Sequence, residues 1–419
     1  MTTLKPDAVV VGGGAAGMAA ALELEKAGCS CVIVEREEGL GGILMQCAHA
    51  GFGLVEFDEE LTGPEFAERF AEKVLASRVT VLDGATALEL RDEGDRKVLD
   101  CCSAKRGVVR IEARAVVLAM GCRERNRGNV RIPGSRPAGV YTAGLAQRLV
   151  NIEGVVPGRR VVVIGSGDIG LIMARRMSWI GAKVEAVVEI LPYPSGLTRN
   201  IVQCLEDFGI PLYLGHQTTR IFGKDRVEGV EIAPLENGAL DLSRARTIPC
   251  DTVLLSVGLV PENELSRGAG VELNPATNGP KVDSTLMTSV PGVFACGNVL
   301  HVHDLVDWVA EEARRAGAHA AAWLRGERPG PELRVKAGAN VRYVAPVKVD
   351  LTRKNRVYFR SLAVLHGATL EARIDRRVLR TVRKGHAQPS EMLSIELGPE
   401  DFADLAEAGS DAVLEIALV

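Results

Sequence analysis

Val9-Val10-Val11-Gly12-Gly13-Gly14-Ala15-Ala16-Gly17-Met18-Ala19-Ala20-Ala21 decides the fold, and it recurs as Val162-Val163-Ile164-Gly165-Ser166-Gly167-Asp168-Ile169-Gly170-Leu171-Ile172-Met173-Ala174. Both stretches read G-x-G-x-x-G-x-x-x-A between an apolar strand and a helix of small residues. The first glycine (Gly12, Gly165) permits the tight strand-to-helix turn. The second (Gly14, Gly167) leaves bare backbone against which a pyrophosphate can lie, and the third (Gly17, Gly170) lets the helix pack close to the strand. The anion rests on the amides of the helix start, which include Ala16 in the first copy and Asp168 and Ile169 in the second. Two such turns in one chain mean that two dinucleotides can be bound, with electrons passing between them.

Each copy needs an acid to grip a ribose at the end of its next strand. In the first, Cys31-Val32-Ile33-Val34-Glu35 places Glu35 seven residues past Gly28, with Arg36 beside it. In the second, Glu189 comes eight residues past Gly181. Side chains alternate faces along a strand, so the slip matters. Either a bulge restores Glu189 to the ribose or Val188 occupies that place. No basic residue closely follows Glu189, which favours NAD over NADP.

A chain of 419 residues is long enough for two or three domains. A net charge of −4 gives no overall attraction to nucleic acid. No stretch reaches the roughly 18 uncharged apolar residues of a membrane span. The first strand starts within a few residues of the N-terminus, so no signal peptide and a cytoplasmic location are expected. The nine cysteines form no C-x-x-C pair, so neither a Cys-ligated metal site nor a disulfide framework is expected. No metal is assigned. Apart from Cys47, the cysteines read as small core hydrophobes.

The pattern is α/β: two Rossmann-like folds, one inserted in the other, plus a small β-rich domain. The first fold is expected over 1–150 and 281–328, the second over 151–280, and the β-rich domain over 331–419. Helical spacing predicts a helix near 63–77, and 115–121 reads as a buried strand ending in glycine. A helix is expected after His303. The last domain alternates apolar and polar residues, and its charge is lopsided. From Glu332 to Lys384 there are fourteen Lys/Arg against four Asp/Glu; from Glu391 to Val419 there are eight acids and no Lys/Arg. Either the two blocks offset each other or the basic one docks an acidic partner protein.

With these segments in order, residues 5–328 resemble the two-dinucleotide-binding flavoproteins of the pyridine nucleotide–disulfide oxidoreductase superfamily. The resemblance implies FAD in the first fold and NAD(H) in the second. Gly41-Gly42 matches the family's step beside the flavin. Leu118-Ala119-Met120-Gly121 matches its A-T-G strand, with Met120 replacing Thr. Val257-Gly258-Leu259-Val260-Pro261 matches the stretch closing the NAD domain, and Phe294-Ala295-Cys296-Gly297-Asn298 matches F-A-x-G-D. There Asn298 replaces the aspartate that bonds the ribityl chain, keeping the hydrogen bond without the charge.

The departures matter more. Leu44 and His49 stand where glutathione-reductase-like members carry a redox pair, and Tyr141-Thr142-Ala143-Gly144 where thioredoxin-reductase-like members carry C-x-x-C. No disulfide relay is therefore expected. The run from Gly41 to Gly53, with Asn298 to Asp307, is similar to the FAD-binding A-type subunits of heteromeric bacterial dehydrogenases such as opine oxidase, proline dehydrogenase and hydrogen cyanide synthase. The cysteine-free C-terminal domain favours relatives associated with a glycerol-3-phosphate dehydrogenase-like flavoprotein. By that likeness a partner flavoprotein dehydrogenase is expected, docking in part through the basic C-terminal domain. His49 would exchange protons near the flavin, with His301 and His303 as further candidates. Cys47 would offer an exposed thiolate. The helix after His303 would aim its N-terminus at the flavin pyrimidine. Two alternatives stay open. One is an FAD subunit that oxidises an amine, amino acid or opine, with a vestigial NAD fold; the other is a non-catalytic nucleotide-binding assembly subunit.

Overall fold

The computed structural model describes residues 2–403 and 412–419. It divides into two compact units, Met1–Cys122 with Pro261–Val419, and Arg123–Val260.

In the first unit, Ala8–Val11 lies at the centre of a five-stranded sheet. Its order is Val293–Ala295, Ala115–Leu118, Ala8–Val11, Cys31–Val34, Thr80–Leu82, with every pairing parallel. The four strands other than the edge strand Thr80–Leu82 are apolar throughout and buried on both faces, as a parallel sheet covered by helices requires. The glycine turn feeds the helix Ala15–Lys26, which packs against Val306–Leu324. Small residues make that contact close: a Cβ at Gly317 would run into the backbone of Ala20. The predicted helix near 63–77 is Gly63–Leu75, opened by a capping box between Thr62 and Glu65. A four-stranded sheet of Thr2–Leu4, Gly107–Ala113, Lys97–Ser103 and Ala85–Asp92 completes this part.

The second unit repeats the plan. Its sheet runs Val140–Thr142, Thr252–Leu255, Arg160–Ile164, Lys183–Val188, Leu212–Tyr213, again all parallel, with the glycine strand in the middle. An antiparallel meander of His216–Gly223, Val227–Glu236 and Arg246–Pro249 is added. The unit spans 123–260, whereas 151–280 was the expectation from sequence. The reason is the edge strand Val140–Thr142, which pairs with Thr252–Leu255 and so carries the helix Ala143–Asn151 with it. At the other end, the Asn263 amide donates to the carbonyls of Asn278 and Val299, which ties 261–280 to the first unit.

The C-terminal segment is β-rich, as its alternation predicts. Lys348–Asp350, Glu332–Ala337, Val413–Leu418, Thr369–Ile374 and Arg377–Arg383 form one sheet, and Val341–Ala345, Asn355–Ser361 and Met392–Leu397 another. Val335, Val357, Phe359, Leu370, Ile395 and Leu414 fill the core between them. Its basic and acidic blocks interlock: Arg356 pairs with Glu396, Arg373 and Lys336 with Glu415, and Arg380 with Asp401. Asp404, Glu407 and Asp411 of the acidic block lie outside the described residues.

Candidate functional site: two glycine cradles and a buried histidine cluster

The first cradle forms at the carboxyl ends of the strands Ala8–Val11, Ala115–Leu118 and Val293–Ala295, where open α/β sheets place their ligands. Gly12 turns at φ 106°, and its amide donates to Val34 O at 2.8 Å. A Cβ there would strike the Ala119 carbonyl, and one at Gly17 the Gly12 carbonyl. At Gly14 a Cβ would meet nothing within 4 Å, so the bare backbone faces open space. The Glu35 carboxylate is buried and fixed: Oε2 accepts from the Gly13 amide at 2.6 Å, and Oε1 from the Glu37 amide at 2.8 Å. The Gly41–Gly42 step runs alongside, with the Gly41 amide donating to Gly13 O at 2.9 Å. Gly297 sits against Ala16. Arg36 points to solvent, and Gly121 accepts from the Glu262 amide at 3.0 Å.

In the second cradle the structure resolves the position of Glu189. The pairing of Arg160–Ile164 with Lys183–Val188 shifts register between Val161 and Val162, which skips Glu185. This bulge absorbs the extra residue. Gly165 then donates to Val188 O at 2.7 Å, as Gly12 does to Val34 O. Glu189 Oε2 accepts from the Ser166 amide at 2.9 Å, matching Glu35 and Gly13, and Oε1 accepts from the Leu191 amide at 3.0 Å. Oε2 also takes the hydroxyls of Ser166 and Ser195, at 2.6 and 2.9 Å. Asp168 Oδ1 is committed to the Leu197 amide and the Asn200 side chain, so it anchors the following loop. Ile169 packs on this unit's core. The Gly167 and Gly170 backbones lie beside Ser256, whose hydroxyl accepts from the Gly170 amide. Gly258 (φ 98°) lies beside Arg125 and accepts its amide hydrogen at 2.9 Å.

The four candidate reactive residues separate. Burial pushes the Cys47 thiol up to about 12, and its Sγ donates to Ile43 O, so it is a neutral thiol instead of the expected exposed thiolate. His49 is half-buried, with Nδ1 3.1 Å from Ala50 O and its ring beside Phe52. His301 and His303 are buried, their ring centroids 4.4 Å apart, and both meet Glu312, which is 0 % exposed. His301 Nε2 lies 2.7 Å from Glu312 Oε2, and His303 Nε2 lies 3.3 Å from Oε1. The Gly297 amide donates to the same Oε1 at 2.7 Å. Burial alone would raise the Glu312 carboxyl, but the two imidazoles outweigh it and hold it well below the usual range. Burial pushes His301 down, against the pull of Glu312. Neither histidine has the solvent access expected of a proton-exchanging group. Asn298 Oδ1 accepts from the His303 amide at 2.9 Å, and Tyr343 and Tyr358 of the C-terminal strands close over the rings.

Two residues escaped the sequence reading. Glu312 stands nine residues beyond His303 on the helix; the His301-x-His303 spacing was the available signal. Asp307, in the first turn of Val306–Leu324, accepts amide hydrogens from Gly53, Val55 and Glu56 and fastens that loop to the helix.

The profile of the pyridine nucleotide-disulphide oxidoreductases matches residues 6–337. The chain belongs to that family. Its members are FAD-dependent oxidoreductases that bind FAD and NAD(P). Relatives include the HcnB component of hydrogen cyanide synthase from Pseudomonas protegens, 28 % identical over 320 residues that cover 70 % of this chain and 65 % of that protein. The A-type subunit of opine oxidase from Agrobacterium tumefaciens is 26 % identical over 321 residues, covering 70 % and 61 %. The matched stretch is thus less than two thirds of either relative. The fold is that of T. acidophilum thioredoxin reductase, with a TM-score of 0.63 at 24 % identity over 76 % of this chain and 98 % of that one. Among the described residues, no helix is long and apolar enough to cross a membrane.

Proposed function

We propose that the protein exchanges a hydride between NAD(H) and FAD and passes electrons to or from a partner dehydrogenase without a disulfide relay. The observation that carries this reading is the likeness of the two cradles: Glu189 meets the amide of Ser166 as Glu35 meets that of Gly13. Bound FAD would supply the hydride-accepting ring. The amides from Gly14 to Gly17 bind its pyrophosphate, Glu35 its ribose, and Gly41, Gly42 and Asn298 line its course. The amides from Gly167 to Gly170 and Glu189 do the same for NAD(H), and no basic residue closely follows Glu189 in the sequence to hold a 2′-phosphate. Half-buried His49 exchanges the proton with solvent.

The partner is proposed because no dithiol stands at either family position and because two relatives are themselves subunits of larger enzymes. A flavoprotein of glycerol-3-phosphate dehydrogenase type is the proposed class. Docking through the C-terminal domain draws on those basic groups left after the internal pairs with Glu396, Asp401 and Glu415. The deciding experiment is anaerobic mixing of the purified yellow protein with NADH. Bleaching of the flavin band is expected; an unbleached band would sink the proposal.

One observation favours a second reading. Glu189 Oε2 already holds three donors, so a ribose must displace a serine hydroxyl to bind there. If NADH fails while an amine, amino acid or opine reduces the flavin, the protein is an oxidising FAD subunit whose second fold is vestigial.

A further inference from the structure

We propose that His301, His303 and Glu312 bind a divalent transition-metal ion of the zinc class, which staples the loop 297–304 to the helix Val306–Leu324 beneath the C-terminal strands. Two imidazoles and a carboxylate are a common donor set for zinc and its neighbours. Here one ligand atom from each residue converges within 4.8 Å.

The spacing is close to what an ion needs. Two ligands at ~2.0–2.1 Å from a tetrahedral ion lie ~3.3 Å apart. His303 Nε2 and Glu312 Oε1 are 3.3 Å apart already. His301 Nε2 contacts the other carboxylate oxygen, Oε2, at 2.7 Å, and where both oxygens face the ion it must retreat by roughly half an ångström. His303 can follow easily: its Nδ1 is buried and meets no protein partner, so moving the ring breaks no second hydrogen bond.

Charge points the same way. A carboxylate at 0 % exposure needs a cation. Among the described residues no Lys or Arg pairs with Glu312; its ion-pair partners are the two histidines. Arg360 is committed to Asp304 at 3.3 Å and to Val302 O at 2.9 Å, and Arg315 pairs with Glu311. An outer shell is also in place, since the Gly297 amide donates to Glu312 and the Tyr343 hydroxyl lies 3.4 Å from His301 Nδ1. Three protein ligands leave the fourth position of a tetrahedral ion to a water molecule.

The test is metal content. Full-length protein is produced in minimal medium supplied with Zn(II), or with Co(II) in its place, and analysed by atomic emission. Wild type is expected to hold about one ion per chain, and His303→Ala and Glu312→Gln less than about a tenth. Cobalt-loaded wild type should also show the strong ligand-field bands of four-coordinate nitrogen and oxygen ligation, a readout that needs no variant to fold. Wild type holding no more metal than the variants, or cobalt bound with only the weak bands of an aquated ion, overturns the proposal. None of these readouts depends on NADH, so failure here is distinct from failure of the redox reading.

Discussion

Glu189 accepts the Ser166 amide at 2.9 Å, although one more residue separates it from its helix-closing glycine than separates Glu35 from Gly28. A ribose diol bonded to this carboxylate gains charge-assisted hydrogen bonds of ~1.5–3 kcal/mol. Glu189→Ala is therefore expected to weaken NADH binding about 10- to 100-fold while bound flavin is retained. Stopped-flow reduction at varied NADH measures it, and an unchanged concentration dependence refutes the assignment.

Gly14 and Gly17 should separate binding from folding. Alanine at Gly17 would collide with the Gly12 carbonyl, so Gly17→Ala is expected to destabilise the chain by about 1–3 kcal/mol or more. Gly14→Ala faces open space and should fold normally while losing flavin. Urea midpoints and the ratio of visible flavin absorbance to protein absorbance discriminate the two outcomes.

His319 gives a pH signature. Burial, with Arg315 adding to it, lowers this histidine to about 4 against the hydrogen bond to Thr285 O. The unfolded chain takes up the proton near pH 6.5 and the folded chain only near 4, so stability is fully present above 6.5 and falls as pH drops toward 4. The loss is on the order of 1–3 kcal/mol. Between pH ~6.5 and ~4.5, His319→Gln should lose less urea resistance than wild type; parallel losses would contradict this.

Cys47 should be slow to alkylate at neutral pH, because its thiol is pushed up to about 12. Exposed Cys102 should label first in a mass-spectrometric time course. Cys47→Ser should leave the rate of flavin reduction within about twofold of wild type. A large rate loss would return this residue to the mechanism.

Local pattern revealed the parts whose cause is local. The strand, turn and helix around Gly12 and Gly165, the helix Gly63–Leu75 and the alternation of the last domain all follow from neighbouring residues. Glu189 did not, since a bulge is a property of two paired strands and only one of them was in view. The extent of the second unit was missed because Val140–Thr142 has three residues, too few for a pattern, and is recruited by pairing with Thr252–Leu255. The histidine cluster joins a loop, a helix and strands some forty residues further on, and its burial depends on Tyr343 and Tyr358 arriving there. The expected thiolate at Cys47 failed for the same reason, because surroundings brought from elsewhere in the chain set its ionisation.

The bulge at Val161/Val162 has a wider consequence. It acts as slack in the sheet: a residue gained upstream is taken up between two strands before it can displace the carboxylate at their end. The count of residues from glycine to acid is then a poor guide to whether a dinucleotide cradle is intact, and the hydrogen bond from acid to turn is the better one.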